Sequence, residues 1–93
     1  MTARRAVVRG RVQGVGFRFF AERAAHACGV RGWVRNRPDG AVETLAEGDE
    51  KAVGEYLARL SRGPLGSRVD EVLVEDAAGE GLSAFEVRRD PWP

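Results

Sequence analysis

Between Gly10 and Arg18 the chain reads Gly-Arg-Val-Gln-Gly-Val-Gly-Phe-Arg, and further along Asn36 closes Gly32-Trp33-Val34-Arg35-Asn36 just before Pro38-Asp39-Gly40. A glycine turn that opens a helix can curl several backbone N–H groups toward one spot, where unpaired donors and the partial positive charge of the first turn favour an anion. Phosphate fits such a nest. Arg18 adds a planar fork able to take two phosphate oxygens at once. The same glycines could form a tight corner and nothing more; an Arg placed at the helix start favours the anion.

Other phosphate loops are excluded by position. A nucleotide-binding P-loop ends in Gly-Lys-Ser/Thr, and the first lysine here is Lys51. A dinucleotide fingerprint needs a third glycine where this chain has Phe19. A cysteine-dependent phosphatase loop carries its Cys where this chain has Val12. The lone His26 lies two helical turns past the loop and reads as a packing or surface residue, and Ser61, Ser67 and Ser83 have no histidine to activate them. No cluster of His and carboxylates has metal-ligand spacing. What remains is an anion cradle, an Arg and an Asn, whose uncharged amide can orient a water and cannot act as a strong base. Such a site suits a phosphoryl bond that breaks easily. An acyl phosphate leaves as a carboxylate of pKa roughly 4 and needs no general acid, and positioning with electrostatic stabilisation carries most of a loose phosphoryl transfer.

These residues need elements to bring them together. Ala6 to Val12 alternates as a strand with one buried face. From Phe17 the apolar positions Phe17, Phe20, Ala21, Ala24 and Cys28 recur at helical spacing until Gly29. Val30 to Asn36 and Ala41 to Ala46 read as strands joined by the turn Arg37-Pro38-Asp39-Gly40. A second helix follows Gly48 or Asp49, with Val53, Tyr56, Leu57 and Leu60 as its stripe, and Arg62-Gly63-Pro64-Leu65-Gly66 ends it. Arg68 to Glu75 and Phe85 to Arg88 are further strands, a loop runs through Gly79 to Gly81, and Pro91-Trp92-Pro93 is a tail. The expected fold class is α+β, the ferredoxin-like split βαβ: βαββαβ plus a short C-terminal strand, with two helices on one face of an antiparallel sheet. In that arrangement the first two strands run parallel with the third between them, so the loop after strand one and the end of strand two share an edge, with backbones roughly 10 Å apart. Arg18 and Asn36 become neighbours.

The 93 residues suit a single domain spanning 1–93. Cys28 is the only cysteine, which leaves no disulfide framework, and no apolar run approaches the ~20 residues of a membrane span. Without a signal-like N-terminus a cytoplasmic location is expected. Net charge is +1, yet residues 1 to 37 hold nine Arg against Glu22 alone and the remainder is acidic. If the early arginines converge they attract anions; otherwise the two halves interleave in space.

Gly10-Arg11-Val12-Gln13-Gly14-Val15-Gly16-Phe17-Arg18 and Gly32-Trp33-Val34-Arg35-Asn36, followed by Pro38-Asp39-Gly40-Ala41-Val42-Glu43, closely resemble the two signatures of the acylphosphatases, and the likeness covers essentially the whole chain. The resemblance implies a small cytosolic enzyme that hydrolyses the carboxyl-phosphate bond of acyl phosphates without metal or cofactor. By motif position Arg18 would bind the phosphoryl group, Asn36 would orient the attacking water, and the backbone of Gln13, Gly14, Val15, Gly16 and Phe17 would form the cradle. Inorganic phosphate or sulfate would occupy the same site, and a monomer is expected. Arg37 departs from the family pattern, which often has a small polar residue after the Asn, and would add a cation beside the site. Trp33 points away from Val34 and reads as packing. The same domain opens larger carbamoyl-transfer maturation proteins, and a chain ending at Pro93 is expected to stand apart from them. A non-catalytic anion-binding or RNA-binding ferredoxin-like module is the alternative, although the first and third strands offer valine, alanine and glutamate where RNA would need stacking rings; neither nucleic acid nor membrane is an expected partner.

Overall fold

The computed structural model describes residues 1–90, so the tail expected at Pro91-Trp92-Pro93 lies outside the described residues. The elements run β1 (Thr2–Arg11), α1 (Phe17–Cys28), β2 (Arg31–Asn36), β3 (Val42–Gly48), α2 (Glu50–Arg62), β4 (Arg68–Asp76) and β5 (Phe85–Val87). They form one sheet ordered β4-β1-β3-β2-β5. Strand β3 pairs antiparallel with both β1 and β2, from Thr2↔Gly48 to Val8↔Val42 and from Arg31↔Glu47 to Asn36↔Val42, so β1 and β2 point the same way with β3 between them. The expected split βαβ is present, and so is the short C-terminal strand; this β5 joins β2 in parallel, Gly32↔Phe85 to Val34↔Val87, so the sheet is mixed and not the expected antiparallel one.

Alternation along the strands sends Val8, Val34, Val42 and Ala46 to the helix-covered face, where they meet Phe17, Ala21, Ala24 and Ala25 of α1 and Val53, Tyr56 and Leu60 of α2 in one apolar cluster. Burial of each large side chain there is worth about 1.5–3 kcal/mol relative to exposure. The Tyr56 hydroxyl shares a hydrogen bond with Thr44 Oγ1 at 2.7 Å, and Thr44 Oγ1 donates to the Trp33 carbonyl at 2.7 Å, so the polar atoms inside the cluster are satisfied. Leu57, expected in the α2 stripe, is only partly buried.

The helix-free face is charged and closed by its own ion pairs. Glu43, 3% exposed, accepts from Arg5 and from Arg35 (Nη2 to Oε1, 2.6 Å), and Arg5 also reaches Glu75. The β4–β5 connection crosses this face: the backbone N–H groups of Glu80 and Gly81 donate to the Glu47 carboxylate at 3.1 and 3.2 Å. Trp33 is buried as packing, its ring covered by the guanidinium groups of Arg35 and Arg88 at 5.2 and 4.6 Å from the centroid. The early arginines therefore interleave with late acids: Arg4 pairs with Asp76, Arg9 with Asp39, and Arg5 as above. Among the described residues no helix is long and apolar enough to cross a membrane.

Candidate active site

The stretch after β1 forms an open turn. Gly14 has φ 74° and Gly16 φ 76°, and Val15 between them has no positive φ. Left-handed glycines on either side of a residue of negative φ are compatible with the backbone of an anion nest. At neither glycine would an added Cβ meet any atom within 4 Å, so the two are required by conformation and the space beside them is open. Gly16 is also the N-cap of α1 and has no side chain with which to cap it; its carbonyl accepts from Phe20 N–H at 3.0 Å. Among the described residues the N–H groups from Gln13 to Phe19 have no protein acceptor.

The two helices differ in charge at their starts. α2 has Asp49 at its N-cap, Glu50 in its first turn and Arg59 and Arg62 in its last, the arrangement the helix dipole favours. α1 has no acid in its first turn and carries Arg18 there, an arrangement the dipole disfavours by roughly 0.3–1 kcal/mol. A cation held against the dipole at an uncapped helix start concentrates positive potential on the turn.

Arg18 is aimed by the far end of the chain. Its Nη1 donates to the Arg88 carbonyl at 2.9 Å and to Asp90 Oδ1 at 3.2 Å. Arg88 in turn donates its N–H to the Val34 carbonyl at 2.9 Å, which continues the β2–β5 pairing toward Asn36. The guanidinium thus stands at the sheet edge where β2 ends. Asn36 is the last residue of β2, paired with Val42, on the same face as Val34 and 7% exposed. Its side-chain amide makes no hydrogen bond to the described residues, yet no unpartnered side-chain polar atom there is sealed from solvent. The amide is held in place by the strand and remains free to bond a water.

Arg37 does not add a cation to the cradle. One position past Asn36 it falls on the opposite face, and its Nη2 pairs with Asp39 Oδ2 at 3.0 Å beside Arg9. The Asp39 carboxyl lies below its ordinary pKa, first because the Ala41 N–H donates to it and then because of Arg37 and Arg9. Sequence reading placed Gln13 in the cradle through its backbone only; its side chain also donates from Nε2 to the carbonyls of Arg37 and Ala41, at 2.8 and 2.9 Å. The signal was available, since Gln13 is the one polar side chain between the strand and Arg18 that carries no charge. Nothing in the sequence marked Asp90 or the Arg88 carbonyl. Among the described residues no group of His, Cys, Asp and Glu could hold a metal ion.

The chain matches known proteins along most of its length. The family model described as Acylphosphatase matches residues 4–87. The acylphosphatase of Koribacter versatilis is 54% identical over 85 residues, covering 90% of this chain and 77% of that protein. That of Anaeromyxobacter dehalogenans is 52% identical over 86 residues, covering 90% of this chain and 91% of the relative. Among solved structures, the acylphosphatase from Bacillus subtilis aligns with a TM-score of 0.92 at 40% identity, covering 95% of this chain and 99% of that one. Matched by the family model over residues 4–87 and by relatives more than 50% identical along nine-tenths of its length, the chain belongs to the acylphosphatase family.

Proposed function

We propose that the chain hydrolyses acyl phosphates by direct attack of water, with the phosphoryl group held by the Gln13–Phe17 backbone and Arg18, and the water oriented by Asn36. The observation that carries this reading is the pairing of an open nest of unpaired N–H groups with a strand-held amide free to bond water, on the same sheet edge. Donors fixed in advance at the equatorial oxygens stabilise charge without reorganising as the reaction proceeds. The water oxygen bonds to phosphorus as the bond from phosphorus to the acyl oxygen breaks, and the pair of electrons departs with the carboxylate. The water's proton passes to a phosphate oxygen of the substrate itself, so no protein base is needed. The products are a carboxylate and inorganic phosphate.

Arg18 has Nη2 and Nε free of protein partners among the described residues, which leaves a donor edge for two phosphate oxygens. Inorganic phosphate or sulfate would fill the same cradle. In this reading residues 1–93 act as a single domain and the protein works as a monomer, and a lone unpaired Cys28 accords with a cytoplasmic location.

Purified protein should hydrolyse benzoyl phosphate in the presence of EDTA, with inorganic phosphate as a competitive inhibitor. Arg18→Ala should weaken phosphate inhibition and lower turnover together, whereas Asn36→Ala should abolish turnover and leave phosphate inhibition nearly as strong as in the wild type. Full activity in Asn36→Ala, or loss of wild-type activity on chelation, refutes the mechanism.

A further inference from the structure

The phosphoryl group and the water would be held by different segments, and the sheet does not join them. The β1–β3 ladder ends at Val8↔Val42, and beyond it β1 continues against β4 only. The cradle begins after that ladder has ended, and it packs against nothing at the Cβ positions of Gly14 and Gly16. The turn that follows Asn36 closes on itself, with Arg37 N–H donating to the Ala41 carbonyl at 2.8 Å and Gly40 N–H to the Arg37 carbonyl at 3.2 Å. Gln13 bridges this gap. Its Nε2 spends both hydrogens on the carbonyls at the two ends of that turn, Arg37 at 2.8 Å and Ala41 at 2.9 Å. Two further polar links exist among the described residues: the ion pair Arg9–Asp39 at 3.3 Å, between side chains 41% and 39% exposed, a kind of contact that contributes little in water, and Arg18 through the Arg88 carbonyl, which reaches β2 at Val34 and not the turn after Asn36.

We propose that Gln13 is a positioning residue, whose amide sets the spacing between the cradle and Asn36 so that the water lies in line with the bound phosphoryl group. This rests on Asn36 being the group that orients the water. Gln13 does not bind the substrate through its side chain: both of its N–H hydrogens are committed, and the remaining amide oxygen is an acceptor that an anion would repel. A misplacement of about 1 Å between reacting groups costs on the order of a hundredfold in rate. Loss of the bridge therefore falls on the chemical step, while the cradle's own donors and Arg18 continue to hold phosphate.

The test compares Gln13→Met, which keeps length and volume and removes both donors, with Gln13→Glu and Asn36→Ala. For each, kcat and KM for benzoyl phosphate, the inhibition constant of inorganic phosphate and the urea unfolding midpoint are measured. The Met variant should lose about ten- to a hundredfold in kcat while phosphate inhibition changes less than about threefold. The Glu variant should be as slow at neutral pH, where a carboxylate faces two carbonyls, and should recover relative to the wild type as pH falls and the protonated acid donates one hydrogen bond to them. That pH-dependent recovery carries the test if the Met variant fails to fold. Wild-type kcat in the Met variant, equal losses in kcat and phosphate affinity, or a Glu variant whose relative activity does not change with pH overturns the proposal. If Asn36→Ala is inactive and Gln13→Met is not impaired, only the positioning role falls; if Asn36→Ala is fully active, the reading of the site falls with it.

Discussion

Replacing Glu43 by Gln tests whether the helix-free face is held by its ion network. The carboxylate is 3% exposed and takes hydrogen bonds from Arg5 and from Arg35, the latter residue directly opposite it on β2. A hydrogen bond to a charged group is worth about 1.5–3 kcal/mol net, and stranding one partner of a buried pair costs about 3–5 kcal/mol. Here the stranded partners are not sealed: the Arg5 and Arg35 side chains keep 35% and 45% exposure, and Arg5 retains Glu75. Water recovers much of the lost interaction, and Gln keeps the shape and one acceptor oxygen, so the expected loss at neutral pH is about 1–2 kcal/mol, or about 4–16 °C in Tm for a domain of this size. The sign with pH follows from linkage. Burial alone would raise the Glu43 carboxyl, but hydrogen bonds from Arg35 and Arg5 outweigh it and hold the pKa below the ordinary value. A carboxyl depressed on folding contributes stability that is fully present above the unfolded pKa and is lost as pH falls through the folded one. Urea unfolding followed by far-UV circular dichroism should show the full gap between wild type and Glu43→Gln at pH 7, narrowing below about pH 4.3. Hydrolysis of benzoyl phosphate should be unchanged, because Glu43 faces away from the cradle. A gap that is the same at pH 7 and pH 3, or absent at pH 7, would refute the reasoning.

Two glycines with positive φ should respond differently to alanine. At Gly16 a Cβ would meet no atom within 4 Å, so Gly16→Ala should fold with a backbone cost of about 1–2 kcal/mol and weakened phosphate inhibition; at Gly32 it would stand 1.9 Å from the Leu45 carbonyl oxygen, so Gly32→Ala should unfold far more readily, and thermal denaturation giving the reverse order would contradict both. Asp90→Asn should strengthen phosphate inhibition by about two- to fivefold, more at low ionic strength, because it removes a carboxylate that competes for Arg18 Nη1. Weaker phosphate inhibition in that variant would mean that Asp90 acts chiefly to aim the guanidinium.

The elements were legible where one face of each was apolar and the other was not. α1 runs from Phe17 to Cys28 and stops at Gly29, as its spacing implies, and Asp49 takes the N-cap position of α2 without a side-chain hydrogen bond to the first turn. The failures come from charged residues that are buried or paired. β1 starts at Thr2, not Ala6, because Arg4 and Arg5 stay in the ladder through partners on β3 and β4 that are distant in sequence. β3 continues to Gly48, not Ala46, and is buried throughout, Glu43 and Glu47 included, so its two carboxylates hide a central strand behind what reads as a solvated face. The parallel seat of β5 could not be read from a segment as short as Phe85–Val87. The core of the candidate site was legible, since Gly14, Gly16, Arg18 and Asn36 are local types in a local pattern. The groups that aim it, Asp90 and the Arg88 carbonyl, lie at the other end of the chain and meet Arg18 only after the sheet has formed.

The charge asymmetry of the sequence bears on how such a site selects anions. Nine early arginines could either converge into a basic surface or interleave with acids; Arg4, Arg5, Arg9, Arg35 and Arg37 each pair with a carboxylate away from the cradle, all but Arg9 and Arg37 with strand acids, and Arg18 at the cradle is itself partly offset by Asp90. A field summed over the early half would therefore be largely cancelled within a few ångströms of the surface. The positive potential that remains at the cradle is local: unpaired N–H groups of an uncapped helix start, and an arginine held there against the dipole. Local donors act at contact distance and resist screening, whereas a diffuse basic patch would lose its hold as salt rises. Phosphate inhibition should accordingly fall only modestly between low and physiological ionic strength, and a steep fall would place the recognition in the surface charge after all.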